Sequence, residues 1–161
     1  MVSISELYKL SENEWSGYFK LLKACDEEVF HKSIIEGSWS IEKILRHLID
    51  SLIQINNNAL DTQEITSDVT IKYDENPDDK IPLKIIEEEY HRINKIIKKG
   101  IEKITDKNEK ENIIPGKKEI PRGRYLIHLF AHEHNHFGQV IWIFRRLTKW
   151  SMEKVIEIAY Q

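Results

Sequence analysis

Apolar residues recur every three or four positions through four stretches of the chain, and each stretch predicts a helix with one face turned inward. Within residues 3–30 the pattern runs through Leu7, Leu10, Tyr18, Leu21, Leu22, Cys25 and Val29, with a weak patch between Ser11 and Gly17. From Ile41 to Leu60 it runs through Ile41, Ile44, Leu48, Leu52 and Ile55, and Ser40 is placed to cap the first turn. From Pro82 to Thr105 it runs through Leu83, Ile86, Tyr90, Ile93, Ile97 and Ile104, with Pro82 suited to a first-turn position. The outer face of that helix is Glu-rich early and Lys-rich late, which complements the helix dipole. The longest pattern spans Tyr125 to Leu147, where Leu129, His132, His136, Val140, Ile143 and Leu147 share one face. A short terminal helix is expected over Ser151 to Tyr160, with Val155, Ile156 and Ile158 to dock it.

Two polar connections separate the helices. Residues 61–80 are acidic, contain Pro77 and lack a helical period; residues 106–122 contain Pro115-Gly116 and Pro121. A connection as long as 61–80 is unusual in a compact domain, so a lid or a crossover is expected there. Val69 to Tyr73 (VTIKY) is a candidate short extended piece. The pattern therefore predicts an all-α fold: a four-helix bundle with long crossover connections and a short C-terminal helix, in one domain over 1–161.

Composition narrows the function. The chain has 161 residues, 40% hydrophobic and 32% charged, enough for one real core. A net charge of -3 and a pI near 6.2 leave no basic footprint for nucleic acid. Cys25 is the sole cysteine, which excludes an internal disulfide and a cysteine-built zinc site. With no apolar leader-like segment and no bilayer-length run, a cytoplasmic protein without a membrane partner is expected.

Of 7 histidines, His128, His132, His134 and His136 crowd the last long helix. A buried imidazole without a partner is costly, so the two that interrupt the aliphatic stripe need one. The i, i+4 spacing lets a pair share a divalent ion. His128 and His136 lie about 12 Å apart along the axis, so the pair is either His128/His132 or His132/His136. His47 borders the apolar stripe of the second helix and is the best third ligand. Three neutral imidazoles with an open position form a catalytic type of site, suited to zinc or nickel.

The same run, His132-Glu133-His134-Asn135-His136, matches H-E-x-x-H, the zinc-protease helix, with Glu133 as base. No third zincin ligand follows, and no edge strand is expected to hold a peptide. Glu133 stays a candidate base without the protease reading.

Trp39-Ser40-Ile41-Glu42, His47-Leu48-Ile49-Asp50 and His132 through Gly138-Gln139-Val140 resemble the DinB/YfiT-like superfamily of metalloenzymes. The resemblance runs through nearly the whole chain in helix order. It implies a four-helix bundle with a long crossover, often dimeric, and a metal triad at His47, His132 and His136. His128 then falls outside the usual ligands. Asn135 and Phe137 depart from the histidine and arginine common there, which bears on the substrate. The resemblance also implies a small-molecule substrate and chemistry of transferase or hydrolase type, with a low-molecular-weight thiol as cosubstrate. The rival is a non-catalytic bundle with a structural metal or a ligand-binding role.

Asp50 and His128 are candidates to support the ligand rings, and Gln139 a candidate for the pocket. Trp39 reads as a plug at the helix entrance, and Cys25 as inert core. Arg122, Arg124, Arg145 and Arg146 flank the last helix and are candidates to attract an anionic thiol. Phe130, Phe137, Ile141 and Phe144 make a second apolar stripe on the last helix, with Trp142 beyond it. That stripe must be covered by the terminal segment or by a second copy, and a homodimer is the expectation.

Overall fold

The computed structural model describes residues 3–70 and 80–160. Four long helices carry the fold: α1 (Ile4–Lys23), α3 (Ile41–Ala59), α4 (Leu83–Ile101) and α5 (Arg122–Thr148). Two short ones, α2 (Glu27–His31) and α6 (Met152–Tyr160), complete the all-α architecture. The long helices close into a ring in which α1 packs on α4 and α5, and α3 packs on the same two. So α1 lies diagonal to α3, and α4 to α5.

That arrangement moves the crossovers. The 60–82 connection, expected as a lid or crossover, joins neighbouring helices. The diagonal steps are made by residues 24–40, which carry α2, and by residues 102–121. The second of these holds a 3-10 turn (Asn108–Lys110) and a two-residue antiparallel ladder, β1 (Asn112–Ile113) with β2 (Ile120–Pro121), which the sequence pattern does not show. Of the expected extended piece at 69–73, Val69 and Thr70 form a bend, and residues 71–73 lie outside the described residues.

The single helix expected over 3–30 is two. Ser3 and Glu6 form a capping box at the start of α1, Ala24 ends it, and Asp26 caps α2 by accepting from the Glu28 amide at 3.0 Å. The weak patch at Ser11–Gly17 is a packing device inside a continuous helix. A Cβ on Gly17 would stand 3.1 Å from the Ala159 carbonyl oxygen, so a side chain there would push α6 away by a few tenths of an ångström. Pro82 is the cap residue of α4, outside the first turn, and α4 stops at Ile101, short of Thr105. α5 begins three residues before Tyr125, because Arg122 is buried and donates to the Ala59 carbonyl at 2.9 Å. Lys149 ends α5 in the left-handed region (φ 62°), which turns α6 back onto α1.

α5 is buried on two faces. Leu129, Val140 and Ile143 pack on the α3 side. Phe130, Phe137 and Phe144 are also buried within the chain itself, whereas a second copy was the expected cover of this stripe. Phe137 stacks on Tyr18 (centroids 4.5 Å) and meets Trp15 edge-on, Tyr8 lies beside Phe130, and Trp150 covers Phe144. The chain's own α1 and C-terminal segment cover this face, so the argument for a homodimer drawn from it falls and only the family resemblance still points that way. No helix of the described residues is long and apolar enough to cross a membrane.

Candidate metal centre

The site is made where α3 packs on α5. In α3 the Ser40 cap, its hydroxyl accepting from the Lys43 amide, starts a helix whose inner stripe includes Ile44, Leu48, Ser51 and Leu52. His47 stands at the border of that stripe, half-buried. In α5, His132 and His136 are one turn apart between the buried Leu129 and Val140.

The three rings meet through their Nε2 atoms. Nε2 of His132 lies 3.3 Å from that of His47 and 3.1 Å from that of His136. One ligand atom from each residue lies within 4.8 Å of the other two. Two nitrogens each bound to a tetrahedral zinc at about 2.0–2.1 Å stand roughly 3.3 Å apart, so the observed spacing fits an ion between them.

The outward nitrogens are held in turn. Nδ1 of His136 lies 2.8 Å from Oε1 of Gln139, and Nδ1 of His132 lies 3.3 Å from the Ser51 hydroxyl. A carbonyl oxygen only accepts, so His136 carries its proton on Nδ1. Ser51 donates to the His47 carbonyl at 3.4 Å, which leaves its oxygen to accept from Nδ1 of His132. Both Nε2 lone pairs then point into the triad, as shared ligation of one cation requires.

The electrostatics suit a ligand set. Burial, with the neighbouring His136, His47 and His128, pushes His132 down to about 4. Burial and His136 also lower His47, against a raising effect of Asp50. Neutral imidazole is the metal-binding form, so the site is ready at neutral pH. No fourth His, Cys, Asp or Glu joins the group among the described residues.

The other expected residues divide. Gln139 sits at the site, but its amide holds the His136 ring. Asp50 lies near enough to His47 to act on it and accepts from Gln54 at 2.7 Å. His128 is exposed and influences His132 only through charge. Glu133 is turned to α1: it is fully buried, its Oε2 accepts from Ser11 at 2.7 Å, and its Oε1 has no partner. Burial pushes it up to about 8. It is not brought to the imidazoles, because position 133 lies on the stripe of Phe130 and Phe137.

Cys25 is half-buried, its thiol pushed up by burial. Arg122 is tied to Ala59 and Asp61, Arg145 reaches the Trp150 carbonyl, and Arg146 lies over Trp142, so three of the four arginines are engaged away from the triad. Sequence reasoning missed Ser51. Its signal was the i+4 spacing from His47, which puts it one turn along the same face. The Trp39 ring also stands edge-on to His47, with centroids 5.4 Å apart. A cavity of about 740 Å³ between α1, α5 and α6 is lined by none of the three imidazoles.

The comparisons agree with this architecture. The DinB family pattern matches residues 1–149, which take in α1 to α5. A crystal structure of a DinB-like protein from Bacillus cereus superposes with a TM-score of 0.65 at 20% identity, over 84% of this chain and 85% of that one. At that identity the likeness shows the fold alone. No curated protein matches. With the family pattern running through all four bundle helices and nearly the whole chain, the protein belongs to the DinB family.

Proposed function

We propose that the protein is a divalent-metal-dependent enzyme acting on a small molecule, with His47, His132 and His136 as the ligands. The reaction we favour is S-transfer from a low-molecular-weight thiol, with hydrolysis as its nearest variant. The observation that carries this reading is the convergence of three Nε2 atoms with, among the described residues, no fourth His, Cys, Asp or Glu in the group. A bound zinc or nickel ion would supply acidification of a thiol or water and polarisation of an electrophile. The chain's own contribution is orientation: Ser51 and Gln139 hold two rings, and burial favours the neutral form of His47 and His132. Asp50 acts electrostatically on His47 and is the candidate proton acceptor for the hydrolytic variant. Glu133 has no such role, being buried against α1.

The test is turnover by the zinc- and the nickel-loaded protein. A thiol panel with an aryl halide electrophile probes transfer, and an ester panel probes hydrolysis, with His47→Ala as control. Metal-dependent turnover lost in His47→Ala is expected. Tight metal binding with a fourth protein ligand in X-ray absorption, and no turnover in either panel, would favour the non-catalytic bundle.

A further inference from the structure

The entrance and first turn of α3, ahead of His47, carry two groups that the fold does not use. Trp39 keeps 36% of its surface exposed although its ring rests against His47. A tryptophan acting only as a plug would be covered. Lys43 lies four residues before His47, about 6 Å along the axis, on the same face. It is partly buried, yet among the described residues no carboxylate pairs with its ammonium. Beyond His47 the charge reverses, with Asp50 on the next turn, held by Gln54. His47 thus stands between a cationic, aromatic end and an anionic end of α3.

We propose that Trp39 and Lys43 form the substrate wall of the metal site, selecting an anionic small molecule with a planar apolar part. The inference rests on the open metal site proposed above. Trp39 takes the flat part in stacking contact, Lys43 the anionic group, and Asp50 repels that group from the opposite end, which fixes one orientation. Neither residue ligates the metal, so both act on specificity.

The experiment uses the full chain loaded with cobalt, following the sulfur-to-cobalt absorption band as thiols are added. The probes are 2-mercaptobenzoate, benzenethiol, 3-mercaptopropionate and 2-mercaptoethylamine. The parent protein is expected to bind 2-mercaptobenzoate tightest and 2-mercaptoethylamine weakest. Lys43→Met should weaken 2-mercaptobenzoate about tenfold and leave benzenethiol unchanged. Trp39→Ala should weaken both aromatic thiols about tenfold and leave 3-mercaptopropionate unchanged, with Trp39→Phe restoring them. Cobalt content should stay at the parental value in all three variants, which separates a specificity role from a structural one. If bands form but the variants shift no ranking, or if the cationic thiol binds as well as the anionic ones, the wall is wrong and the metal site stands. If no thiol gives a band, the thiol reading of the site fails and the wall falls with it.

Discussion

The Ser51 hydroxyl lies 3.3 Å from Nδ1 of His132 while donating to the His47 carbonyl at 3.4 Å. One small side chain on α3 thus connects the ligand of its own helix to a ligand of α5. Ring-orienting contacts of this kind set how well a site holds its ion.

Ser51→Ala should therefore weaken zinc binding by about tenfold or more, read by competition with a chromophoric chelator. The fold should survive, because alanine fits a position that is already 2% exposed and helical. Unchanged affinity would mean that Ser51 only bonds back to its own helix.

Glu133 predicts a pH dependence of stability. Its folded pKa of about 8 lies above the ordinary 4.5. Below pH 4.5 both folded and unfolded chains hold the proton and no difference arises. As pH rises from 4.5 to 8, the unfolded chain ionises first, so stability falls through this window. Glu133→Gln should remove that slope, leaving the variant more stable at pH 8 by on the order of 1–3 kcal/mol while metal content is retained. Denaturant titrations between pH 4 and 9 check it. A variant less stable than the parent at every pH, with the slope intact, would show that the slope does not come from Glu133.

Phe137 and Trp142 offer a contrast on one helix. Phe137 is 0% exposed within the Trp15 and Tyr18 cluster, whereas Trp142 is 56% exposed. Phe137→Ala should cost about 3–5 kcal/mol of unfolding free energy, and Trp142→Ala less than about 0.5 kcal/mol. Equal costs in thermal or chemical unfolding would contradict the placement of the aromatic core. The same placement makes Phe137→Glu an unfolding mutation, so the expected homodimer is tested by sedimentation of the parent and of variants at exposed positions such as Trp142.

The helices and the triad were legible because both follow from spacing. Apolar residues three or four apart located α3, α4 and α5 to within a few residues, and the His132/His136 spacing with His47 named the cluster that the structure assembles. Which pair on α5 joins His47 was not legible in spacing alone, since the His128/His132 pair is geometrically equivalent until α3 is docked. The side to which Glu133 points was missed for a related reason. α5 is buried on two faces, and a pattern read as one core stripe and one exposed stripe gives no second core. The break at Ala24 to Asp26 was hidden because the apolar period continues through Cys25 and Val29 across the turn. The crossovers depend on which helices pack, which loop length does not encode.

The central claim is that His47, His132 and His136 together hold a divalent ion. Its most direct test is metal content per chain by elemental analysis after loading with zinc or nickel and exhaustive dialysis, in the parent and in four alanine variants. One equivalent is expected for the parent and for His128→Ala, and loss of the ion in each of His47→Ala, His132→Ala and His136→Ala. Stoichiometric metal retained in His47→Ala, or lost in His128→Ala, would contradict it.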